Sequence, residues 1–144
     1  MKELLLGERS KLDSFFKENL SGERSLPSKI RWLLKFIGIS PANKGHEYIY
    51  EAMLMMSNDK EIIHEITKVL YPDIAKKCNT TPCRVERAIR HNIELAFGYN
   101  ISEEHKKLKI FIFGVAGQQN KITNSEFLAG LLSFLFEYAD EEEC

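Results

Sequence analysis

The sequence predicts an all-α fold: a six-helix bundle containing a helix-turn-helix, preceded by a short amphipathic helix. Three observations carry this. Apolar residues recur at three- and four-residue spacing through most of the chain. Helix-start and helix-stop residues stand where that spacing is interrupted. Only residues 109–115 (Lys-Ile-Phe-Ile-Phe-Gly-Val) have a strand-like composition, and a lone strand has nothing to pair with.

Leu12, Phe15, Phe16 and Leu20 form one stripe on the first helix, which Ser21-Gly22-Glu23-Arg24-Ser25-Leu26-Pro27 breaks as a linker. Ile30, Leu33, Leu34 and Ile37 mark a second helix from Ser28, ended by Gly38 and Ser40-Pro41. Ile49, Ala52, Met53 and Met56 mark a third beyond Asn43, the methionines reading as core filling. Ile62, Ile63, Ile66, Val69 and Leu70 continue the helical period through a fourth segment. Two further helices follow Tyr71-Pro72, separated by Asn79-Thr80-Thr81, the second running to about Phe97 before Gly98-Tyr99-Asn100. Ser102 can cap the next helix, into Leu108. Thr123-Asn124-Ser125-Glu126 is a capping box opening a last helix with Leu128, Leu131, Leu132 and Leu135 on one side; Phe127 and Phe134 are left over as a possible dimer contact. The expected division is an N-terminal helix and linker (1–27), a helix-turn-helix domain (28–138) and an acidic tail (139–144).

With 144 residues, 44% of them apolar and 28% charged, the chain fits one globular domain with a core. The net charge of −1 conceals an asymmetry, because Glu137, Asp140, Glu141, Glu142 and Glu143 gather acid at the end of a mildly basic body. Cys78, Cys83 and Cys144 form neither a disulfide framework nor a C-x-x-C motif, so a reducing, cytoplasmic setting is expected. No export signal is visible, and the apolar stretch Phe127 to Phe136 is about half the roughly 18 residues of a membrane span, so no membrane partner is expected. His46, His64, His91 and His105 form no metal-ligand pair, and the glycines of residues 114–121 lack the G-K-[ST] of a phosphate loop. No nucleophile and base can be paired, so neither an enzyme nor a metal or other cofactor is expected.

Residues 71–90 have the layout of a helix-turn-helix. Ala75 is small where two helices cross, Asn79 tolerates a left-handed turn, and Thr81-Pro82 supplies an N-cap and a first helical residue that needs no N–H. Turning Ile74, Cys78, Val85 and Ala88 inward sends Cys83, Glu86, Arg87 and Arg90 outward, on the face a recognition helix presents to the major groove. Arg pairs bidentately with guanine and Glu accepts from cytosine, so Glu86 and Arg87 suit a C and a G. Lys76, Lys77 and Arg84 suit phosphates, which position without reading sequence.

From Ile37 onward the chain resembles the C-terminal effector domain of the stage-zero sporulation response regulators. The resemblance rests on Ile37-Gly38-Ile39, Lys44-Gly45, the run from Ile66 to Lys77, Asn79-Thr80-Thr81, Arg84-Val85-Glu86-Arg87-Ala88-Ile89-Arg90-His91 and Thr123-Asn124-Ser125-Glu126-Phe127, and covers about residues 28–138. It implies a double-stranded DNA partner: a recognition helix at about 81–97 reads a TGTCGAA-like box, often in tandem copies occupied by a homodimer. By the resemblance, Glu86 and Arg87 read bases with Arg90 beside them. Phosphate contacts are expected from Lys76, Lys77, Thr81, Arg84 and His91, and from Asn124 and Ser125 at a helix start that favours anions.

Two departures from the family shape the functional expectation. Full-length members carry a phosphorylatable receiver, and the residues ahead of Ile37 are too few for that fold, so control by the chain's own phosphorylation is not expected. Ser102-Glu103-Glu104-His105 replaces the family's pattern where it is similar to the polymerase sigma-factor contact. A reader without that contact would act as a competitor or repressor. The alternative is an antagonist that pairs with a full-length regulator without reading DNA, which leaves the intact string from Arg84 to His91 unexplained.

Overall fold

The computed structural model describes residues 4–98 and 100–139, and among these all the regular structure is helical, with no strand. Seven α-helices occur in the described residues: α1 (Leu6–Leu20), α2 (Leu26–Ile37), α3 (Lys44–Asn58), α4 (Tyr71–Lys77), α5 (Pro82–Phe97), α6 (Glu103–Phe113) and α7 (Asn124–Ala139). The bundle of α2 to α7 with α1 ahead of it is the architecture the spacing predicts. The acidic residues from Asp140 onward lie outside the described residues.

One core runs through all seven helices. Ile30, Leu33, Leu34 and Ile37 of α2, Ile49, Ala52, Met53 and Met56 of α3, and Phe127, Leu128, Leu131 and Leu135 of α7 are fully buried. At about 1.5–3 kcal/mol for each large side chain removed from water, this burial is the main force holding the helices together. α1 contributes Phe16 and Leu20 to the same core. The Phe16 ring lies against Phe111 of α6 and against Phe134 and Tyr138 of α7, with centroids 5.8, 4.9 and 6.0 Å away, and Tyr138 Oη donates to Asp13 Oδ1 at 2.8 Å. The N-terminal helix therefore packs back on the bundle.

Local signals account for most boundaries. Ser25 caps α2, its Oγ accepting from the Ser28 N–H at 3.3 Å, so the break between α1 and α2 is only residues 21–25 and α2 starts two residues before Ser28. Ser102 Oγ accepts from the His105 N–H at 3.1 Å and starts α6, which runs on to Phe113 through the strand-like stretch because Leu108, Ile112 and Phe113 share its buried face. The fourth segment departs from the single helical period expected. Residues 60–64 form a 3-10 turn and residues 66–70 a wide π-type turn, and Glu65, with φ −133° and ψ 41°, breaks the register between them. Burial also corrects the expectation for α7: Phe127 and Phe134 are both inside the core and cannot line a dimer contact.

α3 crosses close to α5, and Gly45 makes this possible. A Cβ there would meet Asn92 Nδ2 at 2.0 Å and the Ala88 carbonyl oxygen at 2.7 Å. Asn92 is buried, donates from Nδ2 to the Ala88 carbonyl at 2.8 Å and accepts on Oδ1 from Asn43 at 3.3 Å, so the crossing is satisfied as well as tight.

Candidate nucleic-acid interface

α4 and α5 form the helix-turn-helix. The turn between them is closed by the Thr80 N–H donating to the Ala75 carbonyl at 2.9 Å, and Asn79 takes the left-handed conformation with φ 54°. Asn populates that region more readily than other residues with a side chain. Thr81 Oγ1 accepts from the Arg84 N–H at 3.3 Å, Pro82 is the first residue of α5, and the helix has a defined start.

The buried face of α5 is Val85, Ile89, Asn92, Ile93, Ala96 and Phe97. The opposite face exposes Cys83, Arg84, Arg87, Arg90 and His91. Arg84 and Arg87 have no ion-pair partner among the described residues, which leaves their guanidinium donors available to a ligand. Glu86 is less open than its neighbours: its side chain is 35% exposed, Oε1 lies 3.2 Å from Arg90 Nη1, and Oε2 is buried without a hydrogen-bond partner. Glu86 and Arg90 therefore present themselves as a joined pair, one turn apart, with Arg87 beside them.

On α4, Lys76 is exposed and unpaired among the described residues, but Lys77 is not free. Its Nζ lies 2.6 Å from Oε2 of Glu51, a buried carboxylate on α3, and that bond pushes the Lys77 ammonium above its usual range. Lys77, read from the sequence as a phosphate contact, also holds α4 on α3 through this pair, with its side chain 59% exposed.

The start of α7 reaches the same face. Its capping box is complete: the Glu126 N–H donates to Thr123 Oγ1 at 3.1 Å, and the Thr123 N–H donates to Glu126 Oε1 at 3.0 Å. The Glu126 carboxylate thus already sits at the positive end of this helix. Asn124 Nδ2 donates to Tyr71 Oη at 2.9 Å and to the Glu86 carbonyl at 3.2 Å, so its amide ties α7 to both helices of the motif. Burial raises the Tyr71 phenol above its ordinary range, which keeps it neutral as the acceptor of that bond. Ser125 is exposed.

Spacing alone located the outward arginines. It did not locate Glu51, Tyr71 or the structural use of Asn124, because each acts across helices separated in sequence. A partial signal existed for Glu51, a carboxylate next to Ala52 and Met53 on the apolar side of α3. No group of three or more His, Cys, Asp or Glu stands together as a metal site among the described residues, and no described helix is long and apolar enough to cross a membrane. A family model described as the sporulation initiation factor Spo0A C terminal matches residues 30–135.

Proposed function

The chain belongs to the Spo0A C-terminal family, the DNA-binding effector domain of a sporulation regulator, and on that premise we propose that it reads a TGTCGAA-like box with α5 in the major groove. The observation that carries this reading is the outer face of α5, where Arg84, Arg87, Arg90 and His91 are exposed on a helix whose other side is locked into the core. Arg87 and the Glu86–Arg90 pair contact bases, since a guanidinium fork and a carboxylate match guanine and cytosine edges. Lys76, Lys77, Thr81, Arg84, His91 and Ser125 contact phosphates and set the register. Asn124 contributes through its backbone, its side chain being occupied by Tyr71 and Glu86.

Reading the box requires no phosphorylation of this chain in this proposal, because the helix-turn-helix is held by contacts within residues 30–135. Two copies occupy tandem boxes. Glu103 and Glu104 stand in the first turn of α6, in the segment similar to the polymerase contact, which supports a competitor or repressor over an activator.

A fluorescence-anisotropy titration of the unphosphorylated chain against a two-box duplex and its scrambled version, at physiological salt, tests this. The expected result is a preference of several kcal/mol for the boxes, with two chains bound per duplex. Equal affinity for both duplexes would overturn it.

A further inference from the structure

A cavity of about 440 Å³ lies on another side of the molecule, between the start of α6 and the segment that follows the 3-10 turn at residues 114–118. That volume is in the range of small-molecule sites. The residues around it include Ile101 and Ile110, Gln118 and Asn120, the cations Lys106, Lys107 and Lys109, and one carboxylate, Glu103.

Lys109 is the unusual member. It is only 5% exposed, and its Nζ donates to the Gln119 carbonyl at 2.6 Å. The other two lysines on the cavity are paired with carboxylates, Lys106 with Glu103 at 3.4 Å and Lys107 with Glu8 of α1 at 2.6 Å. Lys109 has no such partner among the described residues. A buried ammonium facing one carbonyl is under-compensated, since buried charges in proteins are paired as well as hydrogen-bonded. Burial accordingly pushes the Lys109 ammonium below its ordinary range, an opposite charge beside it being absent.

We infer that this cavity is a binding site for a small organic carboxylate, whose charged end pairs with Lys109 and whose apolar body lies along Ile101 and Ile110. The charge count selects the ligand. One unpaired cation matches one negative charge, whereas a phosphate dianion would leave a charge unmatched at the same place. The isoleucines give an aliphatic chain a surface that inorganic anions would not use.

The test is a titration of the full-length ¹⁵N-labelled chain with hexanoate, hexan-1-ol, inorganic phosphate and sodium chloride at matched ionic strength, followed by amide chemical shifts. Hexanoate is expected to give saturable shifts confined to residues 101–120, with hexan-1-ol and chloride giving none. Lys109→Met should weaken the hexanoate response at least tenfold. Ile101→Glu, which adds a second carboxylate of the protein to the one Glu103 already places on the cavity wall, should abolish it while the spectrum keeps its dispersion, and it decides the matter if Lys109→Met does not fold. Equal shifts with hexan-1-ol, an unchanged response in a folded variant, or saturation by phosphate and not by hexanoate would overturn the assignment.

Discussion

Arg87→Ala separates base reading from general attraction to DNA. Arg87 is exposed and forms no ion pair with a described residue, so its truncation removes nothing the fold uses. Stability should change by less than about 0.5 kcal/mol, the usual range for such surface positions. On the boxed duplex the loss of a bidentate guanine contact costs about 1–3 kcal/mol, which is roughly a five- to 150-fold weaker Kd. On scrambled DNA only a general charge is lost, and that loss shrinks as salt rises. The assay is anisotropy with boxed, scrambled and singly substituted duplexes at two salt concentrations, with thermal melting as the folding control. The variant should lose affinity for the box and lose discrimination at one base pair. Equal losses on boxed and scrambled duplexes would refute the base-reading role, and a large fall in melting temperature would refute the claim that Arg87 is structurally idle.

Lys77→Ala should lower the melting temperature, because it leaves the Glu51 carboxylate buried and unpaired; a variant with unchanged melting and uniformly weaker DNA binding would leave Lys77 a phosphate contact alone. Asn79→Ala should cost about 1 kcal/mol in chemical denaturation, the strain of a left-handed residue with an ordinary side chain, while Asn79→Gly stays near neutral. His46 is buried and its imidazolium is disfavoured chiefly by desolvation, so its pKa in the folded chain lies below 6.5. Below pH 6.5 the unfolded chain gains that proton before the folded one does, and stability falls as pH drops toward the folded value. His46→Gln should flatten this part of a melting-temperature profile between pH 7.5 and 5.5.

What the sequence could reveal followed the range of the interactions. Thr81-Pro82, Ser102 and the pair Thr123/Glu126 act within four residues of themselves, and each cap stands where it was expected. The outward position of Arg84, Arg87 and Arg90 needs only the helical period. The stretch 109–115 looked strand-like because β-branched and aromatic residues suit both states, and the Ser102 cap together with one buried face decided for helix. The break at Glu65 has no local cause of that kind, since its neighbours keep a helical spacing. The ties from Lys77 to Glu51 and from Asn124 to Tyr71 were hidden for a different reason. Each joins polar residues that look solvent-bound until the tertiary fold brings them together. Lys109 carried no such local signal, since it follows Lys106 and Lys107 at the head of the apolar run.

The aromatic contact between the first and last helices also orders events in time. Asp13 and Tyr138 are 125 residues apart in sequence, so the loop they close is nearly the whole chain and forms against a large entropic cost. During synthesis the first helix leaves the ribosome long before the last one exists. Phe16 can meet Trp32 and Phe36 as soon as α2 forms, but its contacts with Phe111, Phe134 and Tyr138, like the tie from Asn124 to Tyr71 and Glu86, wait for α6 and α7. The packing of α1 is therefore complete only once α7 is in place, although the two helices lie at opposite ends of the described residues.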